Sequence, residues 1–233
     1  MHHSVLNNAL VPGLPGVSPS GGTYRALLPA LAVLCALAVS CAGAASSIEL
    51  AGDGSGRLTL EYRIARELEN LGALDGNERW SPVPVGRADM ERTAARIPGL
   101  RLLSYRVRDE GADRIHRSEF TFASASALNA FFDPAGEGRF VADPSARRIR
   151  VRFPGTEAGD PRARSLVREA LEGYDFSLSF KVPGGASARW LDGAGNEAAG
   201  PGGCSAEGRT ARCALPMADL ALAAVPLVLE INW

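Results

Sequence analysis

Residues 47–64 read SIELAGDGSGRLTLEYRI, two polar–apolar alternations of period two on either side of a glycine-rich turn. A period of two is the strand signature, because successive side chains of a strand point to opposite faces. Ser47-Ile48-Glu49-Leu50 and Arg57–Ile64 are therefore predicted as paired strands. Asp53-Gly54-Ser55-Gly56 forms the turn between them, since glycine accepts the positive φ that tight hairpin turns require. Leu58, Leu60, Tyr62 and Ile64 then face a core, and Arg57, Thr59, Glu61 and Arg63 face water.

The same reading extends along the chain. A short helix is expected over Ala65–Leu71, followed by a proline-rich loop through Trp80–Pro84. Residues 86–97 form a helix with Met90, Ala94 and Ile97 on one side, stopped by Pro98-Gly99. Strands over Leu100–Arg108 and Arg114–Phe122 flank Asp109-Glu110-Gly111, and Ser124 to Phe132 reads as a short helix. Phe140–Ala142 and Arg147–Phe153 make another hairpin. Asp160-Pro161 opens a helix as cap residue plus first-turn proline, with Leu166, Val167, Ala170 and Leu171 on its apolar stripe. Phe176, Leu178, Phe180 and Val182 alternate with Ser177, Ser179 and Lys181. A strand at Ala188–Leu191, a glycine-rich loop (DGAGNEAAGPGG), a strand at Gly208–Ala214, a helical turn at Met217–Leu222 and a strand at Pro226–Trp233 close the chain. Hairpins interleaved with amphipathic helices imply an α+β class: a two-layer sandwich of a largely antiparallel sheet with helices on one face. No interdomain linker is apparent, so residues 47–233 are expected as one domain.

Upstream lies a 15-residue apolar run, Ala26 to Ser40, ending at Cys41. It falls short of the roughly 20 residues a membrane-spanning helix needs, contains Pro29, and follows Arg25 as a signal-peptide h-region follows its charged segment. Two cleavage readings compete. In one, Leu37-Ala38-Val39-Ser40-Cys41 is a relaxed lipobox, Cys41 carries the lipid, residues 1–40 are the signal region and 41–46 a tether. In the other, Ala42-Gly43-Ala44 is an A-x-A site and the product is secreted. Cys35 suits lipidation less, since Leu34 precedes it. Residues 1–24 make an odd n-region, which a start codon placed too far upstream explains.

Removing residues 1–40 removes one charge, Arg25, leaving 24 basic against 26 acidic residues. That balance provides no electrostatic ground for nucleic-acid binding. The full chain has one lysine, Lys181, against 24 arginines, a bias that fits a GC-rich genome and lowers the weight of any arginine cluster. Cys204 and Cys213 remain as a pair. Outside the cytoplasm such a pair closing a hairpin is expected as a disulfide; in a reducing habitat it stays as two thiols.

Catalytic and metal signatures are missing from this pattern. His116 is the single histidine after residue 40 and lies in a strand without a nucleophile motif, so two- and three-histidine metal sites are excluded there. Glu67 and Glu69, Asp109 and Glu110, and Glu169 and Glu172 are ordinary helix or turn carboxylates with no aromatic setting for a sugar. Asp53-Gly54-Ser55-Gly56 is a turn, because an EF-hand loop would need glutamate at position 64, where Ile64 stands. The sharpest polar feature is Arg147–Phe153: alternation places Arg148, Arg150 and Arg152 on one face, where three guanidinium groups suit the phosphates of an anionic lipid or glycan. The competing reading is a solvated strand face.

Four stretches carry a resemblance: SIELAGDGSGRLTLEYRI, SPVPVG before a helix, FSLSFKVPGG, and the C-terminal LEINW. They resemble the LppM-like domain family of bacterial envelope lipoproteins, and the whole chain resembles treponemal (spirochaetal) lipoproteins of unassigned function. The resemblance implies a secreted, membrane-tethered α/β domain handling lipid or glycolipid, and supplies no site residues. The sequence reading is thus a non-enzymatic envelope lipoprotein facing periplasm or cell surface. It needs no cofactor or metal, is anchored through Cys41, and binds an amphiphile or envelope partner through its apolar layer. The alternatives are an interaction protein docking by a sheet edge and a secreted hydrolase. A deep apolar pocket favours the first reading, and a filled core with an exposed strand edge the second.

Overall fold

The computed structural model describes residues 42–66, 86–156 and 160–233. Cys41, the segment expected as the helix Ala65–Leu71 beyond Arg66, the loop Trp80–Pro84 and the carboxylates Glu67 and Glu69 lie outside the described residues.

The opening hairpin is β1 (Ala42–Leu50) and β2 (Gly56–Ala65), antiparallel with Ile48 opposite Leu58 and Leu50 opposite Gly56. Between them Gly54 adopts φ +85°, and the Asp53 carboxylate accepts from the Ser55 amide (3.0 Å) and hydroxyl (2.7 Å). Residues 42–46, expected as tether, are strand: β1 starts directly after Cys41 and pairs from Ala42 onward with Ile64.

Further strands are β3 (Leu100–Glu110), β4 (Asp113–Phe122), β5 (Phe140–Asp143), β6 (Arg148–Phe153), β7 (Asp175–Lys181), β8 (Ser187–Asp192), β9 (Gly203–Glu207), β10 (Thr210–Pro216) and β11 (Leu227–Asn232). They form two sheets, ordered β3-β4-β2-β1-β7-β10-β9 and β5-β6-β11-β8. All described strand pairs are antiparallel except β1 with β7. The class is α+β. Where a single sheet covered by helices was expected, a second sheet supplies much of the covering layer. One apolar core joins Ile48, Leu58, Phe120 and Phe180 of the large sheet to Ile149, Leu229 and Ile231 of the small one.

Among the described residues there are four helices: α1 (Arg87–Arg96), α2 (Ala125–Phe132), α3 (Pro161–Ala170) and α4 (Met217–Ala221). Met90 is the buried residue of α1. Ser124 caps α2, its hydroxyl accepting from the Ala127 amide at 3.2 Å, which satisfies one of the donors a helix start leaves open. Phe131 and Phe132 continue an aromatic chain from Phe120 to Phe140 with centroid spacings of 5.4, 5.1 and 4.6 Å. Asp160 caps α3 through the Arg162 amide (3.1 Å). The predicted stripe of α3 is only half used: Leu171 is buried, but Leu166 is 66% exposed. The two are five residues apart, about 140° around a helix, so a contact along one narrow edge cannot cover both. That edge is held to the end of α4 by Arg164 donating to the Leu222 carbonyl (3.0 Å) and by Arg168 with Asp219 (3.3 Å).

Residues 203–207, the first of them read as the end of the glycine-rich loop, form edge strand β9. It pairs with β10, which starts at Thr210 because Gly208, at φ +54°, is in the turn. Cys204 and Cys213 are directly opposite each other and joined by a disulfide. Loop closure over a separation of nine residues is worth about 2–3 kcal/mol in the chain-entropy account. Denaturant unfolding of Cys204→Ser/Cys213→Ser is expected to show that loss, and an unchanged midpoint would show that β9 is held by its ladder alone.

Candidate functional site

The outer face of the seven-stranded sheet follows from the strand registers. One row across it reads Glu119–Thr59–Ser47–Ser179–Arg212–Ser205, and the next Arg117–Glu61–Ala45–Ser177–Ala214–Gly203. Apart from Arg212 of β10, the side chains of β1, β7, β10 and β9 in these rows are small, whereas β2 and β4 carry the long charged Glu61, Arg117 and Glu119. The result is an open depression of about 600 Å³, floored by alanine, serine and glycine. Its wall on the β2–β4 side includes Glu61 and Arg117, paired at 3.5 Å; Arg212 stands on the other side with no ion pair among the described residues. The hydroxyls of Ser47, Thr59, Ser177, Ser179 and Ser205 make no hydrogen bond among the described residues, so each retains a donor and acceptor capacity for a ligand. Sequence alternation marked Ser177 and Ser179 as outward-facing. It had no means of placing them beside Ser47 and Ser205, because those neighbours come from strands far away in the chain.

The arginine row lies on the outer face of the small sheet, as alternation requires. Arg150 of β6 stands beside Glu230 of β11, which stands beside Arg189 of β8. Glu230 is 1% exposed. Arg150 Nε donates to one carboxylate oxygen at 2.6 Å, and Arg189 donates from Nε (2.9 Å) and a terminal nitrogen (2.5 Å) to the other, which also accepts from Asn232 at 3.1 Å. Burial would raise the pKa of this carboxyl; the hydrogen bonds from Asn232, Arg189 and Arg150 outweigh it and hold it down to about 2. The expected row of three equivalent guanidinium groups is thus uneven: Arg150 is committed to a buried carboxylate, and Arg148 and Arg152 are not.

The remaining candidates resolve into structural roles. His116 is buried on the inner face of β4, its Nδ1 2.7 Å from the Tyr105 hydroxyl. Ser118, two residues on, is buried with no hydrogen bond to its hydroxyl among the described residues, so the two are not joined as a nucleophile–base pair. Asp109 binds Arg114 (2.8 Å) and Glu110 binds Arg63 (2.9 Å). Glu169 and Glu172 are exposed around the end of α3. Among the described residues no three histidine, cysteine, aspartate or glutamate side chains gather as a metal site, and no helix is long and apolar enough to cross a membrane.

No family model matches the chain, and no curated protein matches it. Among solved structures it is similar to the folded domain of LppM from Mycobacterium tuberculosis, determined by NMR. That likeness has a TM-score of 0.43 and 9% identity, and covers 83% of this chain and 90% of the other. It is a distant likeness in chain path and says nothing about either surface.

Proposed function

We propose that the chain is a non-catalytic cell-envelope domain, anchored through Cys41, that binds the polyhydroxylated headgroup of a glycolipid on the outer face of its large sheet. The observation that carries this reading is the floor of unbonded serine hydroxyls in the 600 Å³ depression. Small side chains let a flat ligand approach the sheet closely, and hydroxyls that lack internal partners suit the hydroxyl groups of a sugar. This moves the ligand from the apolar layer, where it was expected, to the polar face: the inner faces of both sheets are filled by core side chains.

The register of β1 favours Cys41 over Ala44 as the cleavage point. Cleavage after Ala44 would remove three paired residues from the strand, Ala42, Gly43 and Ala44. A lipid on Cys41 would also bring the depression to the membrane surface, since Ala45 is about 13 Å of extended chain away. Docking of a protein partner at a sheet edge is the second reading, favoured by edge strand β3, where Leu103 and Val107 are 52% and 46% exposed. The bulge between Leu102 and Ser104 counts against it, because bulges disrupt edge pairing.

Mass spectrometry of the natively purified protein tests both parts. An acylated Cys41 is expected at the N-terminus, and a free Ala45 overturns the anchor. Glycolipid retained by the wild type and lost from Ser179→Leu, whose side chain would fill the floor, is the expected extract. Extracts free of glycolipid in repeated preparations overturn the ligand.

A further inference from the structure

The geometry points to a second site, on the outer face of the small sheet, that takes a multivalent phosphate-ester anion. Arg148, Arg150 and Arg152 succeed one another along β6 at about 7 Å intervals, the repeat of alternate strand residues. Arg189 joins them across Glu230. Within β5, β6, β11 and β8 this face carries four guanidinium groups and two carboxylates, Glu230 and Asp143, with Glu197, bridged to Leu191 at the β8 edge, as a third. The Asp143 carboxylate is turned to its own loop, accepting from the Ser145 hydroxyl at 2.6 Å and from the Ser145 and Ala146 amides at 3.1 Å each. Positive charge is therefore in excess.

Glu230 has a second consequence. It fixes Arg150 through Nε, and Arg189 through Nε and one terminal nitrogen, while their side chains remain 43% and 53% exposed. Arg150 and Arg189 are held in place with other N–H donors still available. A guanidinium held in advance loses less rotamer freedom when it binds an oxyanion, so it binds more tightly than a free surface arginine. Arg152 has no acidic partner among the described residues, and its strand neighbour on this face, Val228, is apolar. Two positioned donors flanked by two further arginines match several phosphate charges spread along a strand, more than a single small anion.

Calorimetric titration of the full chain in neutral detergent micelles with tripolyphosphate tests the site. Saturable binding is expected, weakening with added salt. Arg148→Gln/Arg152→Gln leaves the Glu230 cluster intact and is expected to weaken binding about tenfold, the scale of two lost solvent-exposed charge contacts. Arg101→Gln/Arg106→Gln on β3 makes the same change in net charge elsewhere and is expected to leave the affinity unchanged. Doping the micelles with phosphatidylglycerol distinguishes the source of the phosphate: competition identifies a lipid headgroup, and unchanged affinity a soluble phosphate ester. Absence of saturable binding overturns the site, as does equal weakening by the two double substitutions.

Discussion

Glu230→Gln is expected to lower the stability of the domain by about 3 kcal/mol at pH 7. The substitution keeps the shape of the side chain and removes its charge, leaving Arg150 and Arg189 without a counter-ion. Losing one partner of a buried ion pair costs about 3–5 kcal/mol, and the lower end applies because both arginines are about half exposed and can turn to water. Linkage leads to a similar figure. The carboxyl titrates at about 2 in the folded protein against an ordinary 4.5, a difference worth about 3 kcal/mol. A folded-state pKa lowered in this way stabilises the protein above pH 4.5, and the stabilisation is lost as the pH falls toward 2. Urea unfolding of both proteins at pH 7 and pH 3 should therefore show the gap shrink to about half or less in acid. A gap independent of pH would mean that Glu230 contributes by packing and not by charge.

Gly56→Ala is expected to cost about 3 kcal/mol, more than Gly54→Ala in the same turn. The two glycines serve different needs. Gly54 is at φ +85° and supplies a left-handed backbone, which costs another residue about 1–2 kcal/mol. At Gly56 the constraint is space: an added Cβ would overlap the Glu49 carbonyl oxygen and lie 2.5 Å from the Phe122 ring. A carbonyl within a paired strand cannot move aside without breaking the β1–β2 ladder, and overpacking of this kind costs about 1–3 kcal/mol or more. Thermal or chemical unfolding of the two variants ranks them. If Gly54→Ala were the worse, backbone conformation and not close approach would govern the hairpin.

Much of the fold was legible in local pattern. The turn at Asp53–Gly56, the cap residues Ser124 and Asp160, the alternation in Phe176–Val182 and the outward placement of Arg148, Arg150 and Arg152 each depend on residues within one element. Leu166 is exposed although it lies on the predicted stripe, because the width of a helix stripe says how much could be buried, not how much the neighbours cover.

The sequence by itself determined most of the strands, though not β9 or residues 42–46 of β1, together with which side of those strands is apolar, where most turns fall, and which two cysteines could close a hairpin. Only the tertiary structure decided which strands are neighbours. Period two states the face of a residue but not its partner, and pairing is settled by contacts between segments far apart in the chain. The parallel joining of β1 to β7, the split into two sheets, the serine floor assembled from β1, β7 and β9, and the burial of Glu230 between arginines from β6 and β8 are all of that kind. A glutamate in Leu-Glu-Ile-Asn looks like any solvated strand residue until its two cross-strand neighbours prove to be arginines.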